Sequence, residues 1–394
     1  MKAKRLSKAQ RSDLITTLPQ AIIETILCLL PIEEAARTSI LSREWRYKWT
    51  TIPKLVFSRS SVKKSTEEKQ RERRKKDRRS NLFCAIHQVL LQRQGPIHEF
   101  SLSTRALQTS FEIDQTILHL SRNHTVKRLT LNVNCSPYGV PFYGLPLSIL
   151  PWRHLTDLHL ASCDLDHQPI FNGISSLTTL SLKGVTMSIK TLLHLLSNCP
   201  SLKSLCLIIY NNDDLLDNEN PSIMELFKCL PIIENLTTWG YIIPSFVQAL
   251  VPEEPPTLLI HLKYIYIDDM CFVDGYGMPF LAVLLKCSPN LEKIKLEEIK
   301  EYYKFDDETV LNQLEEYSDV WLEHLNELEI KNFCNYKSEL EFVKFIMGRS
   351  PNLKKVVLRI CMFKNEELEM SRILLRTPRV SPVEIIVHNS LIEN

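Results

Sequence analysis

A short apolar phrase, Leu-x-x-Leu-x-Leu with aliphatic substitutes, returns ten times along the second and later parts of this chain. It begins at Ile97, Val126, Leu155, Leu177, Leu202, Ile233, Leu262, Leu291, Leu325 and Leu353. Steps of 22 to 34 residues between the phrases belong to a solenoid, in which each unit supplies one strand and one return. A unit of that size cannot bury its own apolar face, so neighbours stack and cover one another. In Leu155-Thr156-Asp157-Leu158-His159-Leu160 the two-residue period of a strand sends Leu158 and Leu160 inward and the intervening residues outward. One long strand-side surface is left to hold a ligand.

The outward positions include Thr156, Asp157, His159, Lys203, Lys263, Tyr264, Tyr266, Lys293 and Lys295. Aromatic side chains are favoured in interfaces, and Tyr264 with Tyr266 offers an anchor on one strand. The candidate contacts to a target protein are therefore His159, Lys263, Tyr264, Tyr266, Lys293 and Lys295. A plain solvated face is the competing explanation for each position alone.

Composition narrows the function. Nine glycines in 394 residues, with no G-x-G-x-x-G, G-x-x-x-x-G-K-[ST] or G-x-S-x-G, argue against most nucleotide-dependent enzymes, whose loops bring backbone close to phosphates. The 11 cysteines contain no C-x-x-C, and Cys163, Cys199, Cys229 and Cys287 sit at repeat junctions as small hydrophobes. No metal site, cofactor or catalytic group is expected. The charged start, Met1 to Lys8, is followed by no apolar signal core, and the apolar run Ala21 to Leu30 is too short to span a bilayer. An intracellular protein without a membrane partner is expected, in the nucleus, the cytoplasm or both.

Between Ser12 and Phe57 the pattern changes to a compact helical module. Ile22, Ile26, Leu29 and Leu30 lie at helical spacing behind Pro19, and Pro31 ends that helix. A second short helix fits Ile32 to Ile40, and Ser42 is placed to cap a third that carries Trp45 and Trp49. Three helices in so few residues have more surface than core. Some of this apolar surface must meet a partner, or else the module caps the first repeat.

These residues carry a resemblance. Leu18-Pro19, the helix ending at Leu30-Pro31, the segment Ala35 to Arg43, and Leu41-Ser42-Arg43-Glu44-Trp45-Arg46-Tyr47-Lys48-Trp49 are similar to the F-box of plant proteins, with its L-S-[RK]-x-W-R-x-x-W stretch. The resemblance implies docking onto the Skp-type adaptor, and through it the cullin, of an SCF ubiquitin ligase. Leu18, Pro19, Ile22, Ile26, Leu30, Pro31 and Trp45 would be the apolar contacts. Gln20-Ala21 stands where the family often has an acidic residue, which keeps open a rival role as an interaction scaffold that recruits no ligase.

Residues 58–80 lack any apolar period and read as a linker. From Lys63 to Arg79 ten basic residues face four acidic ones, in a chain whose net charge is +2. A solvated insertion and a nuclear-import signal at Arg73, Arg74, Lys75 and Lys76 are the two explanations. Nucleic acid is not expected as a partner, because no aromatic residue interleaves with the charges to stack on bases.

From Trp321 the chain runs strand, helix, strand, which places a final helix where it could cover the open edge of the array. This region, through Leu374 to Pro382, resembles the FBD segment that ends plant F-box proteins with leucine-rich repeats. The expected fold is α/β: a three-helix F-box, an irregular leucine-rich-repeat solenoid with parallel strands on its concave face and helices outside, and an FBD cap. The expected organisation is a basic tail at 1–11, the F-box at 12–57, the basic linker at 58–80, repeats at 81–320 and the FBD region at 321–394.

Overall fold

Each of the ten phrases opens a β-strand. The computed structural model describes residues 18–58, 71–105, 111–122, 125–134, 142–145, 152–165, 173–210, 222–247, 259–272, 275–299, 320–360, 370 and 372–389. The tail at 1–11 and most of the segment read as a linker lie outside these residues. The chain divides into two units, Met1–Leu155 and Thr156–Asn394.

The first unit holds α1 (Gln20–Cys28), α2 (Ile32–Arg37), β1 (Lys54–Ser58), α3 (Arg71–Gln92), β2 (Glu99–Arg105), α4 (Phe111–Arg122), β3 (Arg128–Asn134) and the short β4 (Tyr143–Gly144). Parallel pairing joins β1 to β2 and β2 to β3, so each strand needs a crossover, and α3 and α4 supply two of them. The second unit carries β5 (Asp157–Ala161), β6 (Cys163–Asp164), β7 (Thr179–Thr186), α5 (Ile189–Ser197), β8 (Ser204–Tyr210), α6 (Ile223–Lys228), β9 (Asn235–Trp239), α7 (Pro244–Val247), β10 (Tyr264–Met270), α8 (Gly277–Cys287), β11 (Lys293–Glu298), β12 (Glu327–Phe333), a helix at Lys337–Arg349, β13 (Lys355–Ile360) and β14 (Glu384–Asn389). Its strands from β7 to β14 pair in parallel and in sequence order, with β5 beside β7.

Register explains why the phrase recurs. Leu158, Leu180, Leu205, Leu236, Ile265, Ile294, Leu328 and Val356 lie side by side across the second unit as one row of its core, which half-buried Ile385 continues onto the edge strand. All ten opening residues of the phrases are buried. The turns between helix and strand are built alike, since Leu202, Leu291 and Leu353 donate their N–H to the carbonyls of Cys199, Ser288 and Ser350. In the Pro-Asn-Leu turns, Asn290 and Asn352 donate across to the backbone of the preceding repeat, at 2.7 Å to Ile260 O and 2.7 Å to Glu323 O.

Eight residues into four repeats the backbone turns left-handed, at Ser162, Gly184, Asp269 and Asn332, with φ between 51° and 60°. Ser, Gly, Asp and Asn are residues that tolerate or favour this conformation. At Gly184, Asp269 and Asn332 the register shifts there, and the ninth residue (Val185, Met270 or Phe333) swings back into the core.

Two expectations are corrected. The segment 58–80 is not linker throughout, because α3 starts at Arg71; its apolar anchors Phe83, Ile86 and Leu90 are buried but all lie in the second half, beyond the stretch without an apolar period. The helix Lys337–Arg349 does not cover the sheet edge. It is the crossover between β12 and β13, with Phe342, Val343, Ile346 and Met347 buried, and β14 forms the edge.

One buried polar group is part of that helix's start. Glu339 accepts the N–H of Cys334 at 3.0 Å and of Tyr336 at 2.6 Å and hydrogen-bonds to Glu298. Burial holds its carboxyl above the ordinary glutamate range despite these bonds. A raised folded-state pKa stabilises the protein most below the unfolded value of about 4.3, and that contribution is lost as pH rises through the folded pKa. Replacing Glu298 by Gln supplies an amide donor in place of a shared proton, so urea midpoints of E298Q are expected to fall less from about pH 5 to about pH 8 than those of the native chain. Parallel pH profiles would place the proton elsewhere.

Candidate functional site

Two surfaces stand out, one in each unit. In the first, α1 and the two leucines that follow it leave apolar side chains on the solvent side as well as the core side. Ile23 and Leu27 fill the core of the module, while Ile22 (46% exposed), Ile26, Leu29 (81% exposed) and Leu30 point to solvent. Pro19 and Pro31 are exposed and stand at the N-cap positions of α1 and α2, and Leu18 is half-buried. Ile40 and Leu41, just beyond α2, are exposed too. They were missed because the helical reading ran on to Ile40, whereas α2 stops at Arg37 and a 3₁₀ turn at Thr38–Ile40 breaks the period that would say which way a side chain faces.

Trp45 is corrected as a contact. It is 5% exposed, on a 3₁₀ helix that runs from Trp45 to Thr51, and with Trp49 it forms the module's interior. Ser42 Oγ accepts the Trp45 N–H at 3.3 Å, as the cap reading expects. Gln20 works as a bridge: its side chain donates to Glu24 and Thr51 and accepts from Lys48 Nζ at 2.7 Å, tying α1 to the tryptophan segment.

This module is not a separate bead. Ile52, Leu55 and Phe57 repeat the apolar phrase and are buried, β1 pairs with β2, and the Lys54 ammonium lies 2.7 Å from Glu99. Arg93 donates to the carbonyls of Gly95 and Pro96, and burial lowers its pKa to about 10. A Cβ on Gly95 would press on the Thr51 backbone. The basic helix α3 is the crossover between module and first repeat; the side chains of Arg73, Arg74, Lys75 and Lys76 lie outside the described residues.

The second surface is the strand side of the second unit. Tyr264 sits beside Lys293 and Tyr266 beside Lys295 across β10 and β11, so four of the expected target contacts come together. Lys263 precedes β10 and pairs with Glu292 at 3.1 Å. His159 stands apart on β5, and burial lowers its pKa. The lysines are already engaged. Lys293 pairs with Glu327 at 3.0 Å, Lys295 with Glu329 at 3.7 Å, Lys331 with Glu297 at 3.0 Å and Arg359 with Glu329 at 3.1 Å. Lys295 also lies over the Tyr266 ring, whose hydroxyl donates to Glu297 at 2.9 Å. Burial and that bond raise the Tyr266 pKa, while Arg359 and Lys295 hold Glu329 below its usual value against the opposite push of burial. These pairs are partly buried, Glu329 most of all, so the cost of taking the charges out of water offsets much of their attraction and the ladder sets a charge pattern more than it adds stability.

Comparison with known proteins identifies the domains of the chain. The F-box domain model matches residues 15–57, the model described as FBD-associated F-box protein At5g56370, LRR repeats, matches 115–238, and the FBD model matches 321–358. An Arabidopsis thaliana F-box/FBD/LRR-repeat protein, At1g13570, is 32% identical over 94% of this chain and 97% of its own length. The FBD-associated F-box protein At5g56370 of the same plant is 26% identical over 93% of each. A solved internalin from Listeria monocytogenes aligns over 74% of this chain and 80% of its own at 13% identity and a TM-score of 0.32, too distant to add to these matches. With an F-box, leucine-rich repeats and an FBD segment in that order, and a relative matched along nearly its whole length, the chain belongs to the F-box/FBD/LRR-repeat protein family.

Proposed function

We propose that this protein is the substrate-recognition subunit of an SCF-type ubiquitin ligase. The observation that carries the proposal is the apolar solvent side of α1 and the two leucines that follow it. Burying one exposed leucine is worth about 1.5–3 kcal/mol, and Ile22, Ile26, Leu29 and Leu30 would all gain from one covering partner. An Skp-type adaptor, itself held by a cullin, is the partner that the F-box match supports. The repeats then hold a target protein on their strand side. The chain makes and breaks no bond itself in this scheme; it holds target lysines at high effective concentration near a charged conjugating enzyme. No cofactor is required.

The test is co-purification with the adaptor. An Ile22→Glu, Leu29→Glu double variant alters two exposed side chains, so its fold should survive, while adaptor affinity is expected to drop about thirtyfold or more, the equivalent of about 2 kcal/mol. Equal recovery with native and variant chains would overturn ligase recruitment and leave the scaffold role. Residence in the nucleus, the cytoplasm or both belongs to the same proposal, with Arg73, Arg74, Lys75 and Lys76 as the import signal. Replacing these four by alanine is the corresponding test, with an unchanged distribution ruling that signal out.

A further inference from the structure

The carboxylates of the strand-side ladder have cationic partners, but those at the end of β10 do not. Among the described residues neither Asp268 nor Asp269 lies in a salt bridge, whereas Glu297, Glu327 and Glu329 each have a lysine or arginine. Asp268 is instead hydrogen-bonded to the Asp269 N–H at 3.1 Å, and Asp269 accepts from the Trp239 indole. Lys331 is taken by Glu297, and Lys183 stands on β7, three strands from β10, or about 14 Å by strand spacing. Partial burial, with Asp269 and Glu297 nearby, raises the Asp268 pKa, as befits a place short of positive charge.

Beside these carboxylates the repeat pattern is broken in favour of aromatic surface. The ninth repeat residue is buried at Cys163, Val185, Met270 and Phe333. In the two neighbouring repeats it is Tyr210 (42% exposed) and Tyr241 (61% exposed). The β8 repeat has no left-handed residue at its eighth position. Strand alternation therefore runs on through buried Ile209 and delivers Tyr210 to the outer side. Tyr241 lies in a 3₁₀ turn after β9, and Gly240 presses so closely on the Asp269 carbonyl that a Cβ would overlap it. Trp239 joins the two tyrosines, with ring centres 5.6 Å from Tyr210, edge-on at 86°, and 5.3 Å from Tyr241 at 32°. Trp239 pairs in register with Asp268.

We propose that Tyr210, Trp239, Tyr241, Asp268 and Asp269 form a receptor for an arginine or lysine side chain of the bound target. Aromatic faces attract a cation through their quadrupole, and carboxylates that are in no salt bridge supply the charge that fixes it. The proposal rests on the strand side being the target-binding face, and not on ligase recruitment.

The full chain labelled with 5-fluorotryptophan gives a ¹⁹F resonance for Trp239, assigned by its loss in W239F. Titration with acetylated, amidated Gly-Gly-X-Gly-Gly peptides is expected to shift that resonance saturably when X is arginine or lysine, and not when X is citrulline or glutamate. An Asp268→Asn, Asp269→Asn variant, whose asparagine tolerates the left-handed backbone at 269, should weaken the response about tenfold or more. A Tyr241→Ala variant should weaken it in the same direction. Heat of binding in calorimetry with an unmoved Trp239 resonance would overturn the aromatic–aspartate receptor while leaving the strand side as a binding face. An equal response to citrulline, or an undiminished one in the aspartate variant, would overturn it too.

Discussion

Truncating Trp45 to alanine is expected to cost about 3–5 kcal/mol, while Leu29→Ala on the same module leaves stability within about 0.5 kcal/mol. The contrast follows from position alone. Trp45 and Trp49 are buried against the three short helical segments, and a module this small has few other side chains to close the gap. Leu29 makes the opposite case, with most of its surface in water. Urea unfolding, with hydrogen exchange of the α1 amides as a local probe, reads both. A W45A chain that melts like the native protein yet fails to hold the adaptor would restore Trp45 as a direct contact.

Phe57→Ala should be comparably costly, about 3–5 kcal/mol, but its effect should be spread differently. Phe57 is buried on β1, its ring centre 5.7 Å from that of Phe100 on β2. In a repeat array each unit leans on its nearest neighbours, so the loss should concentrate where β1 meets β2. Amides of Leu55, Val56 and Phe57 are expected to lose protection while those of β10 to β12 keep theirs. Uniform loss along the array would show that the chain unfolds as one cooperative body.

What could be seen beforehand depended on repetition. A phrase that recurs ten times reveals its own period, and each occurrence is a strand with a buried opening residue. The phrase Ile52-x-x-Leu55-x-Phe57 obeys the same rule but was absorbed into the helical module, since it precedes Ile97 by far more than one period. Helix α3 is not legible as one element, because its first ten residues show only charge and its buried anchors Phe83, Ile86 and Leu90 all lie in the last twelve. Trp45 illustrates a different limit: a tryptophan at helical spacing fits a core and a contact equally well. The outward direction of Tyr210 depends on whether the residue before it turns left-handed, which spacing alone does not reveal.

The hydrogen-bonded ladder from β1 to β2 also has a consequence for reach. Since Lys54 to Ser58 are locked in register against Glu99 to Ser103, that pairing sets the distance from the helical module to the first repeat, and an insertion between Ser58 and Arg71 is expected to leave it unchanged. A one-residue slip in that pairing would instead turn Leu55 and Phe57 to the opposite side of the sheet. The gauge of the lever arm is thus held by five strand residues and not by the basic stretch, which from Arg71 on is itself part of a helix.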